Sequence, residues 1–189
     1  MLRKALRLLA LAFAAGALWH IGAAAYIHAK AGLAQVLIRS AWAETRQGAQ
    51  AVKPWPWADT WPVARLIVPK HGVDLYVLEG ATGRSLAFGP GRLSGSAAPG
   101  DSGITLISAH RDTHFAFLEL IRAGDEVVME SADGVRHRYQ VVDTEVMHQA
   151  HLSVALAGAE DGLTLVTCYP FHAIDARGPL RYVVSAVKR

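Results

Sequence analysis

A chain of 189 residues with 52% hydrophobic side chains and a net charge of +3 can bury the core of one folded domain and still carry an appendage. The charge is small and lacks a basic stripe interleaved with aromatics, so nucleic-acid binding is not indicated. The single cysteine rules out an intramolecular disulfide, and no Cys-x-x-Cys, His-Glu-x-x-His or Gly-rich phosphate loop signals a metal or nucleotide cofactor. In chain order, Leu8 to Ala25 comes first, apolar but for His20 and, with Ile27, about long enough to cross a bilayer as a helix. Arg3, Lys4 and Arg7 precede it, which keeps the N-terminus in the cytoplasm and puts the remainder of the chain outside. Ala23-Ala24-Ala25 offers a small-residue cleavage site, so a signal peptide is the competing reading. The helical pattern that continues beyond it favours a retained anchor over residues 1–28.

From Ala29 to Gln50 no proline intervenes, and Leu33, Val36, Leu37, Ala41 and Trp42 recur at helical spacing. Three prolines, Pro54, Pro56 and Pro62, then impose extended backbone. Residues 29–61 therefore read as a helical stalk and a Trp/Pro-rich linker, whose Trp55, Trp57 and Trp61 are more often packed on a domain or at a membrane interface than used to bind. Residues 62–189 form the globular part. Strand-like runs cover Val63 to Val68, Val73 to Leu78, Ile104 to Ala109, Glu126 to Glu130, His137 to Val146, Leu163 to Thr167 and Tyr182 to Val187. Gly-, Pro- and Asp-bearing turns separate them, which indicates a mainly β sandwich or closed barrel. Phe115 to Ile121 and Ser153 to Ala159 are expected to be short helices between strands.

Chemistry concentrates where apolar strands end. Leu163 to Thr167 runs into Cys168, and Pro170 stops the ladder, so one thiol stands at a strand mouth. A lone Cys is also often a small buried hydrophobe. Ile104 to Ile107 leads into Ser108-Ala109-His110-Arg111-Asp112-Thr113-His114, and a histidine there is commonly just solvated. Together the two ends have more meaning, because a cysteine nucleophile needs its thiolate and an imidazole is the usual means of obtaining it. Arg181, after Gly178-Pro179-Leu180, carries a permanent charge and a fork of donors suited to an oxyanion, or else simply faces water.

These residues resemble a known family. Thr164-Leu165-Val166-Thr167-Cys168 is similar to the Thr-Leu-x-Thr-Cys motif of sortases, the cysteine transpeptidases of bacterial surfaces. Ala109-His110-Arg111-Asp112-Thr113 resembles the context of the sortase histidine, and Arg181 before Tyr182-Val183-Val184 resembles the arginine that opens the last sortase strand. The three occur in the family's order, 58 and then 13 residues apart, within a resemblance that covers about Pro62 to Lys188. The Trp/Pro-rich lead-in and Gly100-Asp101-Ser102-Gly103 look most like the single-sortase systems of Gram-negative bacteria. The resemblance implies an eight-stranded β-barrel with its site at one end, behind an N-terminal transmembrane helix in the inner membrane and with the catalytic domain on the periplasmic side. It implies cleavage of an LPxTG-like C-terminal sorting signal on a substrate protein. Cys168 would form the thioacyl intermediate, His110 would act as acid and base, Arg181 would stabilise the oxyanion, and an amine acceptor would resolve the intermediate. Some sortases use calcium; no acidic cluster here calls for it, so neither metal nor cofactor is expected. His114 and Arg177 are the neighbouring rivals of His110 and Arg181. The alternatives are a cysteine hydrolase, an L,D-transpeptidase acting on cell-wall peptides, which Val166-Thr167 before Cys168 disfavours, and a non-catalytic anchored barrel that binds a peptide.

Overall fold

The computed structural model describes residues 2–152, 161–173, 175 and 178–189. It divides into two compact units, 1–36 and 37–189. The first consists of helix α1, which runs Leu2–Thr45 and whose last turns belong to the second unit. By length and composition α1 qualifies as a candidate membrane span, and its apolar residues from Leu2 to Ile27 are exposed. No helix breaker interrupts it, so the segment expected as an anchor and the segment expected as a stalk form one helix. It ends at Thr45 rather than near Gln50: Thr45 Oγ1 bonds back to Ala41 O at 2.9 Å, and Gly48 takes a left-handed φ of 96° in the turn that follows. Within the second unit, Trp42 lies against Tyr76, Arg46 pairs with Glu130, and Trp55 meets Phe88 edge-on at 4.9 Å, whereas Trp57 stays exposed.

Eight strands close into a barrel: β1 (Pro62–Val68), β2 (Val73–Glu79), β3 (Gly91–Arg92), β4 (Ile104–Ser108), β5 (Glu126–Ser131), β6 (Arg136–His148), β7 (Gly162–Cys168) and β8 (Leu180–Lys188). Their order round the barrel is β1-β2-β3-β4-β7-β8-β6-β5. The β2–β3 and β4–β7 pairs are parallel and the others antiparallel. Seven strands match the runs expected from β-branched alternation. The eighth, β3, is two residues long and has no periodicity to show. Its glycine is required by close approach, since a Cβ on Gly91 would lie 2.3 Å from the carbonyl oxygen of Gly80.

The core follows from the pleat: Ala64, Leu66 and Val68 of β1 point inward with Leu163 and Leu165 of β7 and Val184 and Ala186 of β8. Phe115, Leu118 and Ile121, from the connection between β4 and β5, fill the same core and are fully buried. That connection holds only a 3-10 turn, Ala116–Glu119, where a short helix was expected. The helix expected over Ser153 to Ala159 lies outside the described residues.

The turn before β5 carries a buried carboxylate. Asp125 accepts from Lys70 Nζ at 2.7 Å and from the Arg122 N–H at 3.0 Å, and pairs with His71 Nε2 at 3.0 Å. Burial alone would raise its pKa; these hydrogen bonds outweigh burial and hold it at about 2, below the ordinary 3.8. Because the folded value is depressed, its stabilisation is present in full above the unfolded value and is lost as pH falls through the folded one. Asp125→Asn should therefore lower stability at pH 7 by about 1–3 kcal/mol. Denaturant melts should show the gap from wild type shrinking between about pH 4 and pH 2; a gap of constant size across that range would count against this account.

Candidate active site

Strand β7 is covered on both faces. Leu163, Leu165 and Thr167 face the core, while Val166 packs in a second cluster on the outer face with Leu106 of β4 and Val183 of β8. Alternation then puts Cys168, half-buried at the strand end, on that outer face. Its register partner on β8 is Arg181, and the Tyr169 N–H closes the ladder on Leu180 O at 3.1 Å. Directly opposed residues of antiparallel strands point to the same face with Cβ atoms about 5 Å apart. The thiol and the guanidinium stem are thus neighbours by construction.

On the other side β7 runs parallel to β4, with Ser108 in register with Val166. One residue later the Ala109 N–H bonds to Val166 O at 3.3 Å, and Thr167 Oγ1 donates to Ala109 O at 2.7 Å. The next residue on each chain is His110 and Cys168. Leu106 and Ser108 lie on the outer face of β4, and His110 extends that set by one more step of two into an exposed position. Neighbouring strands are about 4.8 Å apart, so the ends of β4, β7 and β8 bring His110, Cys168 and Arg181 side by side. Thr167, a small hydroxylated residue inside an otherwise apolar strand, is explained by its buried bond to the carbonyl just before His110.

His114 stands near His110, and its pKa is pushed down, first by burial and then by the neighbouring His110 imidazole. It is the more enclosed of the two, which leaves His110 the better placed to meet a substrate from solution. Arg181 is oriented by three acceptors. Nη1 donates to Gly178 O and Leu180 O, each at 2.8 Å, and Nη2 to Gln149 Oε1 at 2.5 Å. Five N–H groups are available on a guanidinium, and Nε and the second Nη2 hydrogen have no partner among the described residues. Gln149 is itself held by its own N–H on Pro179 O at 2.8 Å. Nothing in the sequence marks this glutamine, because its pairing spans 32 residues. Arg177 lies outside the described residues.

Away from Cys168 the outer face is apolar. Leu106, Val166 and Val183 are buried there under Met147 and Leu152, and a cavity of about 300 Å³ adjoins Leu106, lined by Leu93, Ser94, Gly95, Ser96 and Ile104. On the core side, Tyr169, Phe171 and Tyr182 form an aromatic group with Phe171 and Tyr182 centroids 5.1 Å apart. A thiol, an imidazole and a guanidinium converging at the end of an apolar strip can bind an extended peptide and attack one of its carbonyls. Thr167→Val keeps the volume but strands Ala109 O, so it should cost about 1–3 kcal/mol in a chemical melt. Unchanged stability would show that the Thr167 bond does not hold the two strand ends together.

Comparison with known proteins bears on the whole barrel. The Sortase family model, described as a Sortase domain, matches residues 66–189. Sortase D of Bacillus subtilis (strain 168) is 30% identical over 120 residues, which is 63% of this chain and 60% of that protein. The matched part therefore spans less than two thirds of that relative's length. Among solved structures, a Sortase D5 transpeptidase of Clostridium perfringens superposes with a TM-score of 0.58 at 26% identity, covering 68% of this chain and 79% of the other. Sortase A from Corynebacterium diphtheriae gives 0.61 at 26% identity, covering 70% and 63%.

Proposed function

This chain belongs to the sortase family, and from that premise we propose that it is a membrane-anchored cysteine transpeptidase acting on proteins that carry a C-terminal sorting signal. The observation that carries this reading is the placement of Cys168 between Arg181, its register partner, and His110, two residues past the last parallel β4–β7 register pair.

The Cys168 thiolate attacks the carbonyl that precedes the scissile bond of an LPxTG-like segment. Negative charge develops on that oxygen, within reach of the Nε–H and Nη2–H that Arg181 keeps unspent. His110 gives a proton to the departing amine, and the acyl group stays on sulfur as a thioester. An incoming amine then gives its proton to His110 as it attacks the thioester, and the Cys168 thiolate leaves, restoring the starting pair. The apolar outer strip of Leu106, Val166 and Val183 is suited to hold the residues before the cleaved bond. No cofactor takes part in these steps. Residues 1–28 are the retained anchor, 29–61 the stalk and linker, and 62–189 the catalytic domain. The basic residues Arg3, Lys4 and Arg7 favour an extracytoplasmic site for it, on the periplasmic face of the inner membrane.

The test is a sorting-signal peptide incubated with the purified full-length chain. Wild type should acquire a mass adduct on Cys168 that hydroxylamine releases, and added amine should raise the yield of joined product, as a hydrolase would not show. Cys168→Ala and His110→Ala should be inactive but folded. Arg181→Lys keeps the charge but loses the fork, and turnover should drop on the order of a hundredfold. Wild-type turnover in Cys168→Ala sinks the reading. Loss in His114→Ala with activity kept in His110→Ala transfers the acid–base role to His114.

A further inference from the structure

Arg111 follows His110 but behaves in the opposite way. His110 is exposed, whereas Arg111 retains 7% of its surface. Its Nη2 donates to two main-chain carbonyls beyond β7, Ala173 O at 2.7 Å and Asp175 O at 3.1 Å. Its Nη1 is buried and makes no hydrogen bond among the described residues. A guanidinium is costly to take out of water, and neutral carbonyls that engage only part of its fork repay that poorly. An apolar side chain of similar volume would serve the fold at least as well, so stability alone does not account for an arginine here.

What the arginine does hold is the arc that bears His110. Strand β4 ends at Ser108, and Ala109 is pinned by Val166 O and Thr167 Oγ1. From there the chain curls, with the Phe115 N–H bonding back to His110 O at 3.0 Å. The His110 imidazole makes no hydrogen bond among the described residues, so its position depends on the backbone to either side. Ala109 fixes one side. On the other, the long-range hydrogen bonds of residue 111 among the described residues are those of its side chain to the segment that leaves Cys168.

We propose that Arg111 is a positioning residue: by spanning the carbonyls of Ala173 and Asp175 it fixes the His110 arc against the segment that follows Cys168. The inference rests on the assignment of Cys168 and His110 as nucleophile and acid–base group. Lys keeps the charge on a rotatable ammonium at the end of a flexible stem, without the rigid planar guanidinium that fixes the donor directions toward the two carbonyls, and displacing an acid–base group by about 1 Å can lower a rate by as much as a hundredfold.

The experiment uses the full-length chain with Arg111→Lys, Arg111→Met, His110→Ala and the double variants. Three quantities are read: kcat and KM on a sorting-signal peptide, the cooperativity of thermal unfolding, and the rate at which iodoacetamide alkylates Cys168 at pH 7. In both Arg111 variants kcat should fall about tenfold or more with KM held within about twofold, while unfolding stays cooperative. Alkylation should slow in each single variant, and Arg111→Met should add nothing once His110 is already Ala, since coupled residues are not additive. Wild-type kcat in both variants overturns the proposal, as do additive effects in the double variant. Loss of cooperative unfolding in both would assign Arg111 to stability and overturn it as well. If wild type fails to turn over the peptide, the transpeptidase reading fails, but the alkylation cycle still decides whether Arg111 acts through His110, because it needs no substrate.

Discussion

The site depends on the parallel pairing of β4 with β7. Two strands 58 residues apart in sequence run side by side and stop at the same level, and the Thr167 Oγ1 bond to Ala109 O fixes their last shared step. A parallel pair needs a long crossover, and here the crossover contains β5 and β6, which close the far side of the barrel. Closure removes the sheet edges, so β4 and β7 cannot slip without breaking the ring of pairings. A one-residue slip of β7 would turn Cys168 inward and Thr167 outward, putting the thiol in the core and a hydroxyl on the surface.

Polar anchoring at the two regions of the barrel differs in kind. Around Asp125 and Glu130 the buried carboxylates have basic partners: Lys70 and the His71 ring on the first, Arg46 and Arg136 on the second. The Lys70, His71 and Arg46 pairs tie segments more than 50 residues apart into the wall, and Arg136 pairs across the β5–β6 hairpin. At the site the cations are not paired with carboxylates by the bonds described; Arg111 and Arg181 donate to main-chain carbonyls and to a glutamine. In the proposed reaction, a carboxylate on Arg181 would neutralise the charge offered to the oxyanion. Neutral acceptors orient the guanidinium and leave its charge available.

Much of this was legible in the sequence, and the reasons are local. β1 and β2 are short runs rich in apolar and β-branched residues bounded by turn residues, and β7 is a short β-branched run stopped by Pro170, so each announces itself within a few residues. Strand ends bearing Cys168, His110 and Arg181 stood out because reactive side chains follow apolar runs there. What stayed hidden is non-local. β3 is two residues long and exists only because β2 and β4 flank it. The faces of β7 could not be assigned from its pattern, since both are buried; only the pairing with β4 and β8 shows that Val166 and Cys168 share the outer side. Gln149 and the burial of Arg111 depend on contacts 32 and more than 60 residues away. The end of α1 at Thr45 was not marked in the sequence because no proline or glycine lies between Gly32 and Gly48, and the stop is a cap rather than a breaker.

The proposed reaction would require Cys168 to admit an extended peptide segment and then a second substrate at the same carbon. That requirement conflicts with enclosing the reacting groups. The geometry resolves the conflict by keeping the anchoring bonds on the far side of the reacting side chains. Cys168 is half-buried and His110 exposed, yet the residues next to them, Thr167, Ala109 and Arg111, are all buried. Alternation along the chain makes this possible: when one residue faces the substrate, its neighbours face the core. Rigidity is supplied from beneath, and access is left open above.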